Sequence, residues 1–278
     1  MGTFFRKGSR IKGEKMIKRL KKEERQKIGW LFEGWEETMI WSYFQGYMGE
    51  AWTDELGIPQ MAGILVGDFC FLAGNSKTQK AAVLVENMLR FYHKTFLLFV
   101  PKEEGWGDLI EQIYPKQAKK ILRYAIKKEK DIFDREKLEG WVNELGSEFK
   151  LEQIDAKWYR KCQEQDWTKD FCSQFQGEED FLKRGLGVLA IKDGNIISGA
   201  SSYTVYRNGI EIEVDTKKEY RRKGLATACA AKLILLCLER GWYPSWDAAN
   251  MDSVNLAQKL GYHLDREYMT YAVKLEGV

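Results

Sequence analysis

Three carboxylates lie at alternate positions within residues 210–216, IEIEVDT. The alternation predicts a half-buried strand that carries Glu211, Glu213 and Asp215 on one face and apolar side chains on the other. A carboxylate on such a face can take a proton from an ammonium group, directly or through a water molecule. The strand therefore presents candidate general bases, although acids on the solvent face of a surface strand give the same pattern.

A basic turn follows this strand and leads into a helix. The turn and the first helical residues are Arg221, Arg222, Lys223, Gly224, Leu225, Ala226 and Thr227. The first N–H groups of a helix have no partner within the helix, and the helix dipole is positive at that end. Together with the basic side chains, these groups favour the binding of a phosphate, and a solvated basic loop is the alternative interpretation.

A second short block follows the helix at residues 250–262, NMDSVNLAQKLGY. The turn fits the spacing Arg-x-x-Gly-x-Gly/Ala through Arg221, Gly224 and Ala226. The second block fits Asn-x-x-Ala/Ser followed by Leu and Gly-Phe/Tyr, beginning at Asn250. In this order, and with one helix and one strand between them, the two blocks resemble the pyrophosphate loop and later helix of the GNAT superfamily of acyl-CoA-dependent N-acetyltransferases.

The resemblance covers roughly residues 150–274. It implies a GNAT-type acyl-CoA N-acyltransferase fold, acetyl-CoA as co-substrate and direct attack by a primary amine within a ternary complex. It also implies that the end of the acidic strand pairs with the pantetheine arm, while the basic turn holds the pyrophosphate. The implied cofactor-binding residues are Val214, Thr216, Arg221, Arg222, Lys223, Gly224, Leu225, Ala226, Thr227, Asn250 and Ser253.

The same resemblance implies a carboxylate base on the acidic strand, which we assign to Glu213 with Glu211 as the second candidate. One position departs from the family pattern. The tyrosine that usually protonates the thiolate is replaced by Ala257, so Ser253, Tyr262 or solvent must supply the proton. This departure leaves open an alternative function, that of a catalytically weak acyl-CoA-binding sensor or interaction protein.

The chain length of 278 residues favours two domains. A charged stretch followed by a glycine-serine pair predicts a boundary after Gly146. We expect an α/β fold with a mixed sheet, in which the GNAT domain at 147–278 is preceded by a smaller mixed α/β domain at 16–146. The element order of the first domain is one that a diverged copy of the same core would also have. Residues 1–15 read as a disordered basic tail, with Met1 or Met16 as the start and a nucleic-acid arm as the alternative.

Composition argues against several classes of protein. A net charge of +3 gives little support for a nucleic-acid or membrane partner. The five cysteines and two histidines have no metal-type spacing, so we expect reduced thiols, no metal and a cytoplasmic protein. The sequence has no apolar run of the ~20 residues that span a bilayer. The amine acceptor and the oligomeric state are not specified by the sequence.

Overall fold

A computed structural model describes residues 17–91 and 95–275, and the predicted basic tail at residues 1–15 lies outside them. The chain folds into two compact units. Unit 1 comprises Met1–Leu122 and Met269–Val278, and unit 2 comprises Arg123–Tyr268. These units are defined by packing, so the boundary that composition places after Gly146 stays a prediction. No helix in the described part of the chain is both long and apolar enough to cross a membrane.

Unit 1 is built on a mixed sheet. Its elements are β1 (Lys18–Arg19), a 3-10 helix (Lys22–Phe32), α1 (Thr38–Gln45), β2 (Glu50–Thr53), β3 (Met61–Val66), β4 (Phe69–Gly74), α2 (Gln79–Phe91), β5 (Phe96–Pro101), α3 (Glu104–Ile113) and β6 (Ala118–Ile126), whose end belongs to unit 2. The strands from β1 to β5 are neighbours in chain order, and only β4 and β5 run parallel. Residues 271–274 then pair antiparallel with β5.

The core of unit 1 follows from the periodicity of its elements. Every residue of β3 is buried, as expected for a strand covered on both faces. Helix α2 places Ala81, Leu84, Val85 and Met88 on one face at helical spacing, and all four are fully buried. The parallel connection from β4 to β5 passes through this helix, which buries its apolar face within the core cluster of the unit.

Unit 2 repeats the same kind of architecture. After β6 its elements are α4 (Arg135–Asn143), β7 (Lys150–Gln153), α5 (Ala156–Cys162), α6 (Asp166–Lys169), a 3-10 helix (Asp170–Cys172), α7 (Glu178–Arg184), β8 (Gly187–Lys192), β9 (Asn195–Tyr206), β10 (Gly209–Thr216), a 3-10 helix (Lys218–Tyr220), α8 (Leu225–Glu239), β11 (Tyr243–Ser245), β12 (Asp247–Ala248), α9 (Met251–Lys259) and β13 (Leu264–Lys274), whose end belongs to unit 1. A five-stranded sheet has the order β11-β10-β9-β8-β7. Only β10 and β11 run parallel in it.

Local sequence explains the sheet of unit 2. Asp193 and Gly194 make the hairpin turn between β8 and β9, with both residues at positive φ, as an Asp-Gly tight turn requires. Asn208, at φ 60°, makes the next turn into β10. Helix α8 is buried along most of its length and packs against β8, β9 and β10. A helix apolar on most sides is therefore enclosed, as its composition predicts.

The two units share one order of elements. Each has antiparallel strands, a helix, a parallel strand and a further helix: β2, β3, β4, α2, β5 and α3 in unit 1, and β8, β9, β10, α8, β11 and α9 in unit 2. The predicted mixed α/β fold is therefore confirmed, and the topology of unit 1 is that of a diverged copy of unit 2. Any site that depends on this topology has two possible locations in the chain.

Two helical glycines, one in unit 1 and a control in unit 2, give a matched test of packing in unit 1. A Cβ on Gly107 of α3 would overlap the hydroxyl of Tyr271 and lie 2.7 Å from its Cζ, whereas a Cβ on Gly140 of α4 meets nothing within 4 Å. Both changes to alanine gain about 1 kcal/mol of helix propensity. Overpacking costs about 1–3 kcal/mol, so Gly107→Ala lowers the free energy of unfolding by up to about 2 kcal/mol.

Gly140→Ala should raise the free energy of unfolding by about 0.5–1 kcal/mol. Urea denaturation of both variants beside the wild type measures the two changes. Shifts of the same sign and size would contradict the packing of Tyr271 against α3.

Candidate functional site

The parallel strands β10 and β11 pair over a short distance and then separate. Their register is Gly209 with Tyr243, Ile210 with Pro244 and Glu211 with Ser245. Beyond this last pair, β10 continues to Thr216 with no partner strand on that side among the described residues of unit 2. The chain after β11 instead forms β12, which pairs antiparallel with β6. We call the opening between β10 and the separating chain the wedge.

The free edge of β10 runs from Ile212 to Thr216, about 13 Å at ~3.3 Å per residue. Backbone N–H and C=O groups on such an edge can pair with an extended ligand as if it were another strand. On its other side, β10 is fully paired with β9 along the same residues. Pairing with β9 thus holds β10 in place, while its opposite edge has no partner strand from Ile212 to Thr216 among the described residues of unit 2.

The two faces of β10 have different surroundings. Helix α8 packs against one face. On the other, Ser201 is paired in register with Glu213, and its hydroxyl donates a hydrogen bond of 2.8 Å to the carbonyl of Phe171 in the 3-10 helix. Glu213 is therefore half-buried on the face that Asp170–Cys172 covers. Contact with the Cys162 thiol, burial and the nearby Glu213 carboxylate raise the pKa of Cys172.

Glu211 has a more enclosed position than Glu213. It is only 4% exposed and lies in register with Thr204 of β9 and Ser245 of β11. Beside it, the Tyr206 hydroxyl lies 2.7 Å from the Ser245 hydroxyl. Burial is the main cause that raises the pKa of Tyr206, and the charge of Glu211 adds to it. The structure thus places Glu211 in the paired part of β10 and Glu213 two residues into the wedge.

The turn before α8 has a defined backbone shape. Gly224 adopts φ 79° and Arg222 adopts φ 61°, a left-handed conformation that costs a non-glycine residue free energy. No side chain caps α8 at Gly224, so its first N–H groups face outward beside an exposed glycine. Arg221 is directed back to the strand, where its Nε donates to the Thr216 carbonyl at 3.1 Å.

The basic side chains of this turn are exposed, including Arg222 and Lys223. The Lys223 Nζ lies 5.0 Å from the centre of the Tyr220 ring. Arg221 also approaches the Asp215 carboxylate at 3.5 Å, and this exposed pair contributes little to stability. Positive charge, uncapped N–H groups and the dipole of a 15-residue helix therefore meet at one place.

The second predicted block has a structural role that the sequence left open. The Asn250 Oδ1 accepts a hydrogen bond from the Ser253 N–H at 3.0 Å and so caps α9. The Ser253 hydroxyl accepts a hydrogen bond of 3.0 Å from the Trp246 indole. Cofactor contacts by Asn250 and Ser253 stay predictions. Unlike α8, helix α9 already has a side chain on its first N–H groups.

The candidate proton donors differ in accessibility. Ala257 is fully buried and carries no group that could replace a tyrosine hydroxyl. Tyr262 is 1% exposed, donates its hydroxyl hydrogen to the Pro244 carbonyl at 2.6 Å and has a pKa that burial raises well above its ordinary value. Tyr262 is therefore part of the core. Ser253 is half-buried and retains a hydroxyl proton to donate.

The corresponding place in unit 1 is closed by the chain itself. Beyond the last ladder pair of β4 and β5, the Glu103 carboxylate accepts a hydrogen bond from the Gly74 N–H at 3.1 Å. The Trp106 indole donates to the Gly74 carbonyl at 3.0 Å and is fully buried. Helix α2 is also capped, because the Thr78 hydroxyl accepts from the Ala81 N–H. Among the described residues, the open wedge and the uncapped helix therefore occur together in unit 2.

Several residues that shape the two strand edges are not marked by any local sequence pattern. Trp106 and Glu103 close the edge of unit 1, and Tyr206 and Ser245 line the enclosed side of Glu211. Only the register of β10 and β11 brings Ser245 to Glu211, and a strand of three residues is too short to predict reliably. In the described part of the chain, no group of three His, Cys, Asp or Glu residues is arranged to hold a metal.

Comparison with known proteins gives consistent similarities. A family model described as GNAT acetyltransferase matches residues 30–271. The solved structure of a GCN5-related N-acetyltransferase-like protein from Streptococcus suis 89/1591 is 41% identical, with a TM-score of 0.83 over 91% of this chain and 99% of that one. A tandem GNAT protein from the clavulanic acid biosynthesis pathway is 12% identical, with a TM-score of 0.57 over 94% of this chain and 99% of that one, and shows the fold alone.

A curated relative is similar over a shorter stretch. The uncharacterized N-acetyltransferase YdfB of Bacillus subtilis (strain 168) is 36% identical over 93 residues, which are 33% of this chain and 36% of that protein. The match thus spans little more than a third of the relative's length.

The shape of the turn can be tested by exchanging its left-handed residues. Alanine in place of Gly224 should lower the free energy of unfolding by about 1–2 kcal/mol, because a Cβ is unfavourable at φ 79°. Arg222→Gly should leave that free energy unchanged or raise it by up to about 1 kcal/mol, because it relieves the same strain. Thermal and urea unfolding measure both effects. A neutral Gly224→Ala beside a destabilising Arg222→Gly would contradict the described turn.

Proposed function

Because the chain belongs to the GNAT family of acetyltransferases and is an acyltransferase, we propose that it transfers the acetyl group of acetyl-CoA to a primary amine. The amine attacks the thioester directly within a ternary complex held in unit 2. The observation that carries this proposal is the separation of β10 from β11 beyond Glu211, directly ahead of an uncapped helix. An extended arm and an anionic end can be bound there together.

The turn before α8 would hold the pyrophosphate. The backbone N–H groups of residues 222–227 would bind its oxygens, because no side chain caps α8 and the helix contributes about half a positive charge at this end. Arg222 and Lys223 add exposed positive charge. The left-handed Gly224 has nothing within 4 Å of its Cβ position, which leaves room for a phosphate to approach the backbone. Leu225 is buried and fixes the start of the helix to the core.

The free edge of β10 would hold the pantetheine arm. The backbone groups of Val214 lie on this edge, and the strand is held by β9 on its other side. Thr216 ends the edge, but its N–H already donates to the Asp215 carboxylate at 2.7 Å and its carbonyl accepts from Arg221 Nε at 3.1 Å, so an arm that pairs with Thr216 would displace these two bonds. The Thr216 hydroxyl, 2.7 Å from the Ser198 hydroxyl, ties the end of the strand to its neighbour. The arm therefore binds to a strand that is already ordered, which reduces the entropy cost of binding.

Glu213 is our proposed general base. An amine that arrives as ammonium loses its proton to this carboxylate, directly or through water, and the nitrogen then attacks the carbonyl carbon of the thioester. The C–S bond breaks, the nitrogen loses its second proton to give the neutral amide, and the thiolate takes up one proton, so that one proton in total is released. Glu213 is preferred to Glu211 because it lies within the wedge, whereas Glu211 is enclosed by Tyr206 and Ser245.

The departing thiolate does not require a tyrosine. A thiol has an ordinary pKa of about 8.5, so its thiolate is a reasonable leaving group near neutral pH. Ser253 can donate a hydrogen bond to it, since the Trp246 indole already uses an acceptor position of the serine hydroxyl. Solvent then supplies the proton. The replacement of the usual tyrosine by Ala257 is therefore compatible with turnover.

The side chains indicate the cell compartment and the partners that we propose for the reaction. All five cysteines are free and buried, as expected in the reducing cytoplasm, where we propose that the protein acts. A net charge of +3 gives no reason to add a nucleic-acid or membrane partner. The acceptor would reach the half-buried Glu213 at the wedge, next to the 3-10 helix Asp170–Cys172.

Removal of the base tests the proposed chemistry. Glu213→Gln should lower kcat by about 10²-fold or more near neutral pH, because general base catalysis typically contributes 10²–10⁴-fold. Its remaining rate should rise with pH, since only amine that is already deprotonated can react. Glu211→Gln is the matched control and should lower kcat by less than about 10-fold. Thiol release from acetyl-CoA, measured against pH with a panel of primary amines, gives these values.

Two outcomes would contradict the proposal. A Glu213→Gln enzyme that keeps its turnover across the pH range would remove the assigned base. Tight binding of acetyl-CoA by the wild type, with no amine-dependent thiol release across the whole panel, would contradict acetyl transfer to a primary amine.

The stoichiometry of binding tests which unit holds the cofactor. Isothermal titration calorimetry should give one acetyl-CoA per chain, because Glu103 and Trp106 occupy the edge of β4 in unit 1. Arg222→Ala should weaken that binding and reduce its dependence on salt concentration, since it removes a charge proposed to contact phosphate. Two acetyl-CoA molecules per chain would contradict the assignment.

A further inference from the structure

The chain that separates from β10 carries a buried ion pair. The Asp247 carboxylate accepts hydrogen bonds from Arg123 at 2.8 Å from Nε and 2.5 Å from Nη2. Its other oxygen accepts the Tyr268 hydroxyl at 2.6 Å. The two charged side chains are only 11% and 8% exposed. We call Arg123, Asp247 and Tyr268 the carboxylate clamp.

The same short segment is fixed at three further points. The Tyr262 hydroxyl donates to the Pro244 carbonyl at 2.6 Å, and the Ser245 hydroxyl lies 2.7 Å from that of Tyr206. The Trp246 indole donates to Ser253 and packs against the Tyr262 ring at 5.6 Å. Residues 244–247 are thus held one after another, and the carboxylate clamp holds the last of them, where the chain has left β10.

A contribution to stability alone does not explain the clamp. Removing two charges from water costs about as much as their attraction returns, so apolar side chains of similar volume serve stability at least as well. What a buried carboxylate does provide, with one oxygen bound by two donors of Arg123 and the other by Tyr268, is one defined direction for the backbone that carries it. That direction leads from β10 towards β6, with which Asp247 is paired in register at Ala125.

Unit 1 shows the opposite arrangement at the matching position. The last ladder pair there is Leu72 with Pro101, and Glu103 follows Pro101 by two residues, as Asp247 follows Ser245. Glu103 is directed back to the neighbouring strand, where it accepts from the Gly74 N–H. In unit 1 the acid, Glu103, bonds to β4 and the edge of β4 is closed. In unit 2 the acid, Asp247, bonds to Arg123 and Tyr268 instead of β10, and the edge of β10 is open.

We propose that Arg123, Asp247 and Tyr268 are positioning residues, which hold the separating chain away from β10 and so keep the wedge wide enough for an acyl-CoA arm. The inference rests on the proposed function, because the wedge is the site assigned to acetyl-CoA. The clamp fixes Asp247 of β12, which is paired with Ala125 of β6 beyond the point where the chain leaves β10. It therefore acts on binding of the arm rather than on the chemical step.

Tyr268→Phe is the test variant, since it removes one hydroxyl and leaves the ion pair in place. The dissociation constant and KM for acetyl-CoA should rise about threefold to tenfold, in line with the loss of one partly buried hydrogen bond, while kcat stays within about twofold. Asp247→Asn should raise both constants more than about tenfold where it folds, because it leaves Arg123 without its counter-charge. Binding of ADP, which carries a pyrophosphate but no pantetheine arm, should be unchanged in Tyr268→Phe.

The matched control is Tyr114→Phe, which removes another buried hydroxyl, one that donates to the Val85 carbonyl at 3.2 Å in unit 1. It should lower the melting temperature to a similar extent without a change in KM. A Tyr268→Phe variant that binds acetyl-CoA like the wild type overturns this inference and leaves the proposed function intact. A wild type that binds no acetyl-CoA overturns both.

Discussion

The separation of the parallel strands β10 and β11 after three ladder pairs, the last of them Glu211 with Ser245, is the constraint on which the rest of the site depends. Parallel strands tend to stay paired, because unpaired backbone groups need partners. Here the chain that leaves β10 after β11 forms β12, which pairs with β6, and β10 has no partner strand beyond Glu211 on that side in the described part of unit 2. Without this separation, the basic turn would be a surface feature with nothing to orient a ligand along the sheet, and Glu213 would lie beside a closed ladder.

The features that could be predicted from the sequence are those that arise from neighbours in the chain. The alternating strand, the Asp-Gly hairpin and the enclosed helix α8 follow from period, turn chemistry and apolar content. The features that could not be predicted depend on residues far apart: Arg123 meets Asp247 across 124 positions, and Trp106 closes an edge formed 32 positions earlier. Asn250 illustrates a third case, because an asparagine before a helix is equally suited to cap it or to bind a ligand, and the cap is what the structure contains.

The two units share one topology, but among the described residues the open wedge occurs in unit 2. Both units have the order of strands and helices in which a wedge can form. The side chains that follow β5 in unit 1 and β11 in unit 2 determine whether the wedge is closed or open. Glu103 and Trp106 satisfy the backbone of Gly74 and make unit 1 a closed, well-packed body. In unit 2 the equivalent acid, Asp247, bonds to Arg123 and Tyr268. The two glutamates of β10 then lie in different environments: Glu211 is enclosed among hydroxyl groups, and Glu213 lies beside the wedge.

Hydrogen exchange of backbone amides, with and without acetyl-CoA, tests the central claim most directly. The account predicts that acetyl-CoA slows exchange along residues 212–216 and 224–227, where its arm and pyrophosphate would bind, and leaves residues 74–79 of unit 1 unchanged. Protection at the end of β4 in unit 1, or bound acetyl-CoA without protection of β10 and the start of α8, would contradict it.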